Sequence, residues 1–320
     1  MTCIALAPSS PPGAAQPVVL AGHSSWVNSV AVSDDGVVAT AGNDGQIGLW
    51  RDTDGTRLAW LHLPRRRSPM GEAPLLAHLG VPAYSVAFDR GSRRLAAGCG
   101  DGAIHVADVA TRQFIATLPD PSGHVNAVCW LSAHHLLAGT IDGRLVLWDV
   151  EHRARLAERP VFQFPIQGIA LSPDGTSVAV ASFDSRVRIV AVPGLDVTAS
   201  LAGHKDVVYS VAWSGDGRYL ASGSNDHTAL LWDLRDQSSH PIWQGEAPVY
   251  AVAFTSDGER LAVAEQAQPI RILAVPSGRP LSQLSGHTAD VVALAFTADG
   301  RLVSGARDAT ARIWSAEVTH

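Results

Sequence analysis

Residues 203–233, GHKDVVYSVAWSGDGRYLASGSNDHTALLWD, decide the fold. An alternating run, Val208-Tyr209-Ser210-Val211-Ala212-Trp213, leads into Asp216-Gly217. Asp-Gly supplies the positive φ that tight hairpin connections need, so the next apolar run, Tyr219-Leu220-Ala221-Ser222-Gly223, returns antiparallel to the first. A turn around Asp226 leads to a third run, Ala229-Leu230-Leu231-Trp232, and a weaker fourth follows. Period-two patterning broken by hairpin turns implies a four-stranded antiparallel sheet.

The same unit recurs along the chain. Apolar strands finishing at Trp50, Ala107, Trp148, Val190, Trp232, Leu273 and Trp314 are spaced 57, 41, 42, 42, 41 and 41 residues apart. First-turn Asp-Gly pairs recur at Asp35-Gly36, Asp174-Gly175, Asp257-Gly258 and Asp299-Gly300. A length of 320 residues alone favours two domains. The period overrides that prior, because self-similar units of about 41 residues stack into one array. The expected organisation is an N-terminal tail at 1–15, one domain at 16–316 with an insertion at about 63–76, and a C-terminal tail at 317–320.

Composition bounds the function. With 46% hydrophobic and 17% charged residues, the chain can build a large core and is not disordered. Its net charge of −6 gives no general attraction to nucleic acid or anionic membrane. The local exception is Arg65-Arg66-Arg67, inside the Pro-rich insertion, where a cationic run can meet phosphate or an acidic protein surface, although short runs of this kind are more often merely solvated. Cys3, Cys99 and Cys129 show no CxxC spacing and no disulfide framework, so no metal site is expected and a reducing compartment fits. No run approaches the ~18 apolar residues of a membrane span, and the N-terminus lacks a basic signal-like region. Cytoplasmic residence is the expectation. Lys205 is the one lysine among 24 cationic residues, a bias that reads as a GC-rich bacterial source.

The recurring motifs resemble the WD40-repeat family over residues 16–316. Gly22-His23, Gly123-His124, Gly203-His204 and Gly286-His287 match its GH element, and Trp148-Asp149 and Trp232-Asp233 its WD dipeptide. The resemblance implies an all-β, seven-bladed propeller of four-stranded antiparallel blades. It further implies that residues 17–21 complete the last blade and close the ring, so deletion of 1–23 should destabilise the whole fold whereas deletion of 1–14 should not. In the family a His, a Ser or Thr, an Asp and a Trp form a hydrogen-bonded tetrad. Full matches here are His23, Thr40, Asp44, Trp50; His204, Ser222, Asp226, Trp232; and His287, Ser304, Asp308, Trp314. Ser, His and Asp together also fit a catalytic triad, but three copies each tied to a Trp donor fit buried polar groups satisfying one another. The unit ending at Trp148 keeps His124 and Asp142 but has Ala138 at the hydroxyl position. The second, fourth and sixth units lack both GH and Trp, keep at most Asp101 and Asp184, and are expected to rely on packing.

Fold does not assign a job. Alignment on Val30 places Asn28, Tyr84, Asn126, Gln167, Tyr209, Tyr250 and Val292 at one equivalent position near the face that family members use for partners. Trp26, Phe183 and Arg307 fall at neighbouring positions. Aromatic residues with arginine have the composition of an interaction hot spot, and the same aromatics also serve as filling at blade tops. The candidate partner-binding set is therefore Trp26, Tyr84, Phe183, Tyr209, Tyr250 and Arg307 with Arg65, Arg66 and Arg67. No HExxH, GxSxG, P-loop or CxxCH pattern is present, so neither catalysis nor a cofactor is expected. The expected function is that of a noncatalytic scaffold, monomeric by itself, that binds a protein or peptide rather than nucleic acid or membrane. The alternative is a propeller enzyme or small-ligand binder using the central channel.

Overall fold

The three runs of residues 203–233 become the strands Val208–Trp213, Tyr219–Ser224 and Thr228–Asp233, and Ser238–Gln244 forms the outer fourth. The computed structural model describes residues 16–64, 80–119, 123–236 and 238–316. Among these residues there are seven four-stranded antiparallel sheets, arranged as the blades of a propeller. Blades one to six each run in chain order, starting at Val27–Val32, Ala83–Phe88, Val125–Trp130, Ile166–Leu171, Val208–Trp213 and Val249–Phe254. Blade seven combines Val291–Phe296, Leu302–Ala306 and Thr310–Trp314 with the N-terminal strand Val18–Ala21. That strand pairs with the last one in the register Val18 to Ile313 through Ala21 to Thr310, which closes the ring. Arg301 and Asp52 reinforce the seam between blades seven and one with an ion pair of 2.9 Å.

Local chemistry fixes each hairpin. In the first turn of five blades a hydroxyl donates to the Asp two residues on: Ser33 to Asp35, Ser172 to Asp174, Ser214 to Asp216, Thr255 to Asp257 and Thr297 to Asp299. The Asp side chain then organises the turn backbone, which is why Asp precedes Gly so regularly.

The core is divided between the blades. Seven apolar clusters each draw on two adjacent sheets; one, for example, joins Ala221, Leu231 and Ile242 of blade five to Val249, Leu261 and Leu273 of blade six. Second strands such as Tyr219–Ser224 are buried from their second residue onward. Burial on both faces explains why these strands are near-continuous runs of small apolar residues. Indole donors bridge neighbouring blades, Trp130 to the Ala87 carbonyl and Trp213 to the Ala170 carbonyl, each at 3.0 Å.

The insertion follows a complete blade. The fourth strand of blade one is Arg57–His62, on the N-terminal side of the insertion. Arg65, Arg66, Arg67 and the expected tails at 1–15 and 317–320 lie outside the described residues.

Candidate functional site on the top face

A register irregularity builds the site. In every blade the pairing of the first two strands slips at one residue, between Val27 and Ser29, Ala83 and Ser85, Val125 and Ala127, Ile166 and Gly168, Val208 and Ser210, Val249 and Ala251, and Val291 and Ala293. The seven bypassed residues are Asn28, Tyr84, Asn126, Gln167, Tyr209, Tyr250 and Val292. A bulged residue leaves the ladder and its side chain is re-aimed. All seven line one hollow of about 440 Å³ at the channel mouth, together with Trp26, His124 and Arg307. Such a volume lies in the range of ligand-binding clefts.

The rim is built asymmetrically. Arg307 lies over the rings of Trp26 at 4.9 Å and Tyr250 at 5.1 Å, and Tyr250 meets Tyr209 edge-on at 5.2 Å. Asp290 accepts a hydrogen bond of 2.9 Å from Arg307, so the guanidinium is held in place between the aromatic rings. Tyr209 donates to Asn225, and Asn225 donates to Asp206. Burial raises the phenols of Tyr84 and Tyr209 above their ordinary value, so both remain neutral donors. The amides are partly engaged: Asn28 donates to the Ala83 carbonyl and Asn126 to the Ile166 carbonyl, each tying its blade to the next. Trp26 is 48% exposed and is the open anchor of the rim. Phe183 is exposed too, but it does not line the hollow.

His124 is a site residue that sequence reasoning missed. With Ala138 in place of the tetrad hydroxyl, the Trp148 indole N–H has no partner, and His124 instead lies 5.6 Å from Tyr84 on the wall of the hollow. The absent hydroxyl at Ala138 was the available signal.

Below the mouth, the channel wall is formed by the inner strands and carries Ser29, Ser85, Ser210, Asn28, Asn126 and Gln167 as its non-aromatic polar groups, with Cys129 beside them. Burial pushes the Cys129 thiol up to about 12, which keeps it protonated and a poor nucleophile.

The tetrad residues meet as hydrogen-bonded units away from the hollow. His204 Nε2 is 2.7 Å from Ser222 Oγ, Trp232 Nε1 donates to the same oxygen at 2.8 Å, and His204 Nδ1 is 2.9 Å from Asp226. His23 with Thr40, Asp44 and Trp50, and His287 with Ser304, Asp308 and Trp314, repeat this geometry. Both ring nitrogens are engaged and the hydroxyl is sealed by indole, so the arrangement offers no exposed nucleophile. Burial pulls His204 and His287 below the ordinary imidazole value against the opposing pull of Asp226 and Asp308. Burial also pushes Asp226 up, but the Thr228 hydroxyl, the Lys205 amide and His204 outweigh it and hold the carboxyl below its usual range.

Blades two, four and six depart from the expectation of packing alone. Each places a long polar side chain of its third strand against an acid: His105 faces Asp101 at 3.5 Å, Arg188 pairs with Asp184 at 2.5 Å, and Arg271 pairs with Glu265 at 3.0 Å. These three residues stand at the third-strand position where blade one has Gly48.

The fold and its mouth define a class: a closed seven-bladed propeller with a partner-sized hollow at one end of the channel. A family model described as WD domain, G-beta repeat, matches residues 16–51, 112–149, 159–190, 195–233 and 278–315. The chain belongs to the WD40-repeat family. Among curated proteins it is similar to telomerase protein component 1 of Rattus norvegicus, 23% identical over 342 residues that cover 80% of this chain and 13% of that protein. It is also similar to THO complex subunit 3 of Arabidopsis thaliana, 25% identical over 264 residues, covering 82% of this chain and 81% of the relative. A ribosome biogenesis protein WDR12 homolog of Trichoplax adhaerens is 28% identical over 242 residues, covering 68% and 56%. The chain thus spans about an eighth of the telomerase component and most of the THO subunit. These three relatives are eukaryotic and lend no support to the bacterial source read from composition.

Proposed function

We propose that this protein is a noncatalytic scaffold that holds a protein or peptide segment in the hollow at the top of the propeller. The observation that carries the reading is the convergence of all seven bulged residues on one mouth together with Trp26, His124 and Arg307. Trp, Tyr and Arg dominate binding energy when they cluster in a partly desolvated pocket. Because the rim side chains are held by one another and by a closed ring, a partner orders few of them on binding, which limits the entropic cost. One relative is by name a subunit of a complex, which agrees with a role in assembly. In this proposal the protein acts as a monomer, works without a cofactor, resides in the cytoplasm and takes protein rather than nucleic acid. The unpaired thiols of Cys99 and Cys129 support a reducing compartment. Among the described residues no helix is long and apolar enough to cross a membrane.

The test is a Trp26→Ala, Tyr209→Ala, Tyr250→Ala variant compared with wild type by affinity capture and mass spectrometry. The variant is expected to keep its melting profile to within a few degrees and to lose the proteins captured by wild type. Undiminished capture would move the interface off this face, and a parallel variant with Arg65, Arg66 and Arg67 replaced by Ser would then test the insertion.

A further inference from the structure

Blade two holds a cluster unlike the polar locks of the other blades. Cys99 ends its second strand, Asp101 lies in the turn and His105 sits on its third strand, and their ligand atoms all lie within 4.8 Å of one another. Among the described residues this is the one group of three or more Cys, His, Asp and Glu side chains placed to hold an ion. We propose that Cys99, Asp101 and His105 form a zinc(II)-class metal site with a thiolate, a carboxylate and an imidazole ligand.

Comparison with blade one explains how the cluster fits. Cys99 and His105 stand where blade one has Gly42 and Gly48. A Cβ on Gly42 would meet Asp44 and His23 at 2.2 and 2.3 Å, and one on Gly48 would meet Trp50 and Thr40 at 2.6 and 2.7 Å. In blade one the tetrad thus leaves no room for side chains at these two positions, whereas blade five carries Ser224 and Leu230 there, and blade seven Ala306 and Arg312, beside full tetrads. In blade two the tetrad His and Trp are absent, and a thiol and an imidazole stand together beside the retained Asp101.

His105 Nε2 is left without a hydrogen bond. His105 is 2% exposed, its Nδ1 is fixed by Thr117 Oγ1 at 3.1 Å, and its Nε2 has no hydrogen-bond partner. In blades four and six the corresponding arginine reaches its acid at 2.5 and 3.0 Å; here Asp101 Oδ2 stands 3.5 Å from Nε2. A buried nitrogen without a partner is costly, and a cation beside the imidazole would give it one. Thr117 sets the other ring nitrogen as outer-sphere groups do for metal-bound histidine. Asp101 uses Oδ1 to accept the Ala103 amide, which orients Oδ2 toward the ring. Tetrahedral zinc with bonds of about 2.0–2.3 Å needs its ligand atoms roughly 3.4–3.8 Å apart, a contraction that side-chain rotation supplies. A thiolate, imidazole and carboxylate set suits zinc better than the oxygen-seeking magnesium or calcium. On binding, the Cys99 thiol transfers its proton to solvent and its sulfur donates to the metal.

The experiment titrates cobalt(II) chloride into the full chain after chelator treatment under reducing, anaerobic conditions. A saturable sulfur-to-cobalt charge-transfer band, displaced by zinc chloride, is the expected result. The band should vanish in Cys99→Ser, persist in Cys129→Ser, and require about 10–100-fold more cobalt in Thr117→Val. Zinc should also raise the melting temperature of wild type and leave that of Asp101→Asn, a near-isosteric change, unmoved. No band in wild type would overturn the site in favour of a purely structural Asp101–His105 pair, as would a band retained in Cys99→Ser or an equal zinc shift in Asp101→Asn. If Cys99→Ser does not fold, Asp101→Asn and Thr117→Val decide the question.

Discussion

His204 sits in blade five with Ser222 on one ring nitrogen and Asp226 on the other, and Trp232 closes the hydroxyl. Replacing it with Ala removes two partners at once and leaves buried polar atoms unsatisfied, a cost of about 1–3 kcal/mol. Urea unfolding should show that loss as a lower midpoint with an unchanged slope. The same residues set a pH dependence. His204 and His287 titrate below 6.5 in the fold, so as pH falls the unfolded chain takes up protons first. Their contribution is complete above about pH 6.5 and declines as pH drops toward their lowered folded values. Asp44, Asp226 and Asp308, all below their ordinary 3.8, add a second loss at more acid pH. Calorimetry from about pH 7 to about pH 5 should show a falling melting temperature, and the fall should be shallower in His204→Ala.

The strand Val18–Ala21 belongs by sequence to the start of the chain and by hydrogen bonding to its end. Leu20 is fully buried in the cluster that joins blade seven to blade one, whereas Val19 is 48% exposed. Leu20→Ala should therefore cost about 2–5 kcal/mol, and Val19→Ala no more than about 0.5 kcal/mol. Equal midpoints for the two variants would contradict closure by this strand. Such elements were legible in advance because Asp-Gly turns and period-two runs are local signals. The family resemblance, with a fitting spacing, pointed to the residues of the three tetrads, and alignment of the repeats made Tyr84, Tyr209 and Tyr250 equivalent. The bulges were not legible, because a slip in strand pairing leaves no mark on side-chain alternation until the partner strand is placed. Nor were the locks of blades two, four and six. His105, Arg188 and Arg271 stand on the third strand at a place where blade one has glycine, away from the vacant His and Trp positions that mark these blades in sequence.

At the scale of the whole molecule the ring has one seam, and two unlike devices secure it. The Val18–Ala21 strand is one; the other is Arg301, which reaches Asp52 with both ends of its guanidinium across 249 positions of sequence. Arg301→Ala should cost about 1–3 kcal/mol, since Asp52 would remain buried with its charge. Because every blade shares its core with two neighbours, that loss should appear as a shift of one cooperative unfolding transition, read identically by tryptophan fluorescence and by circular dichroism. The ring of bulges has a different consequence. Seven residues that face the mouth take no part in the regular ladder. Val292 stands beside Gln167 and Tyr250 at the same structural position, so the backbone accepts apolar, amide and aromatic side chains alike. Selection can thus rewrite the chemistry of this mouth one blade at a time, with the frame that presents it left intact.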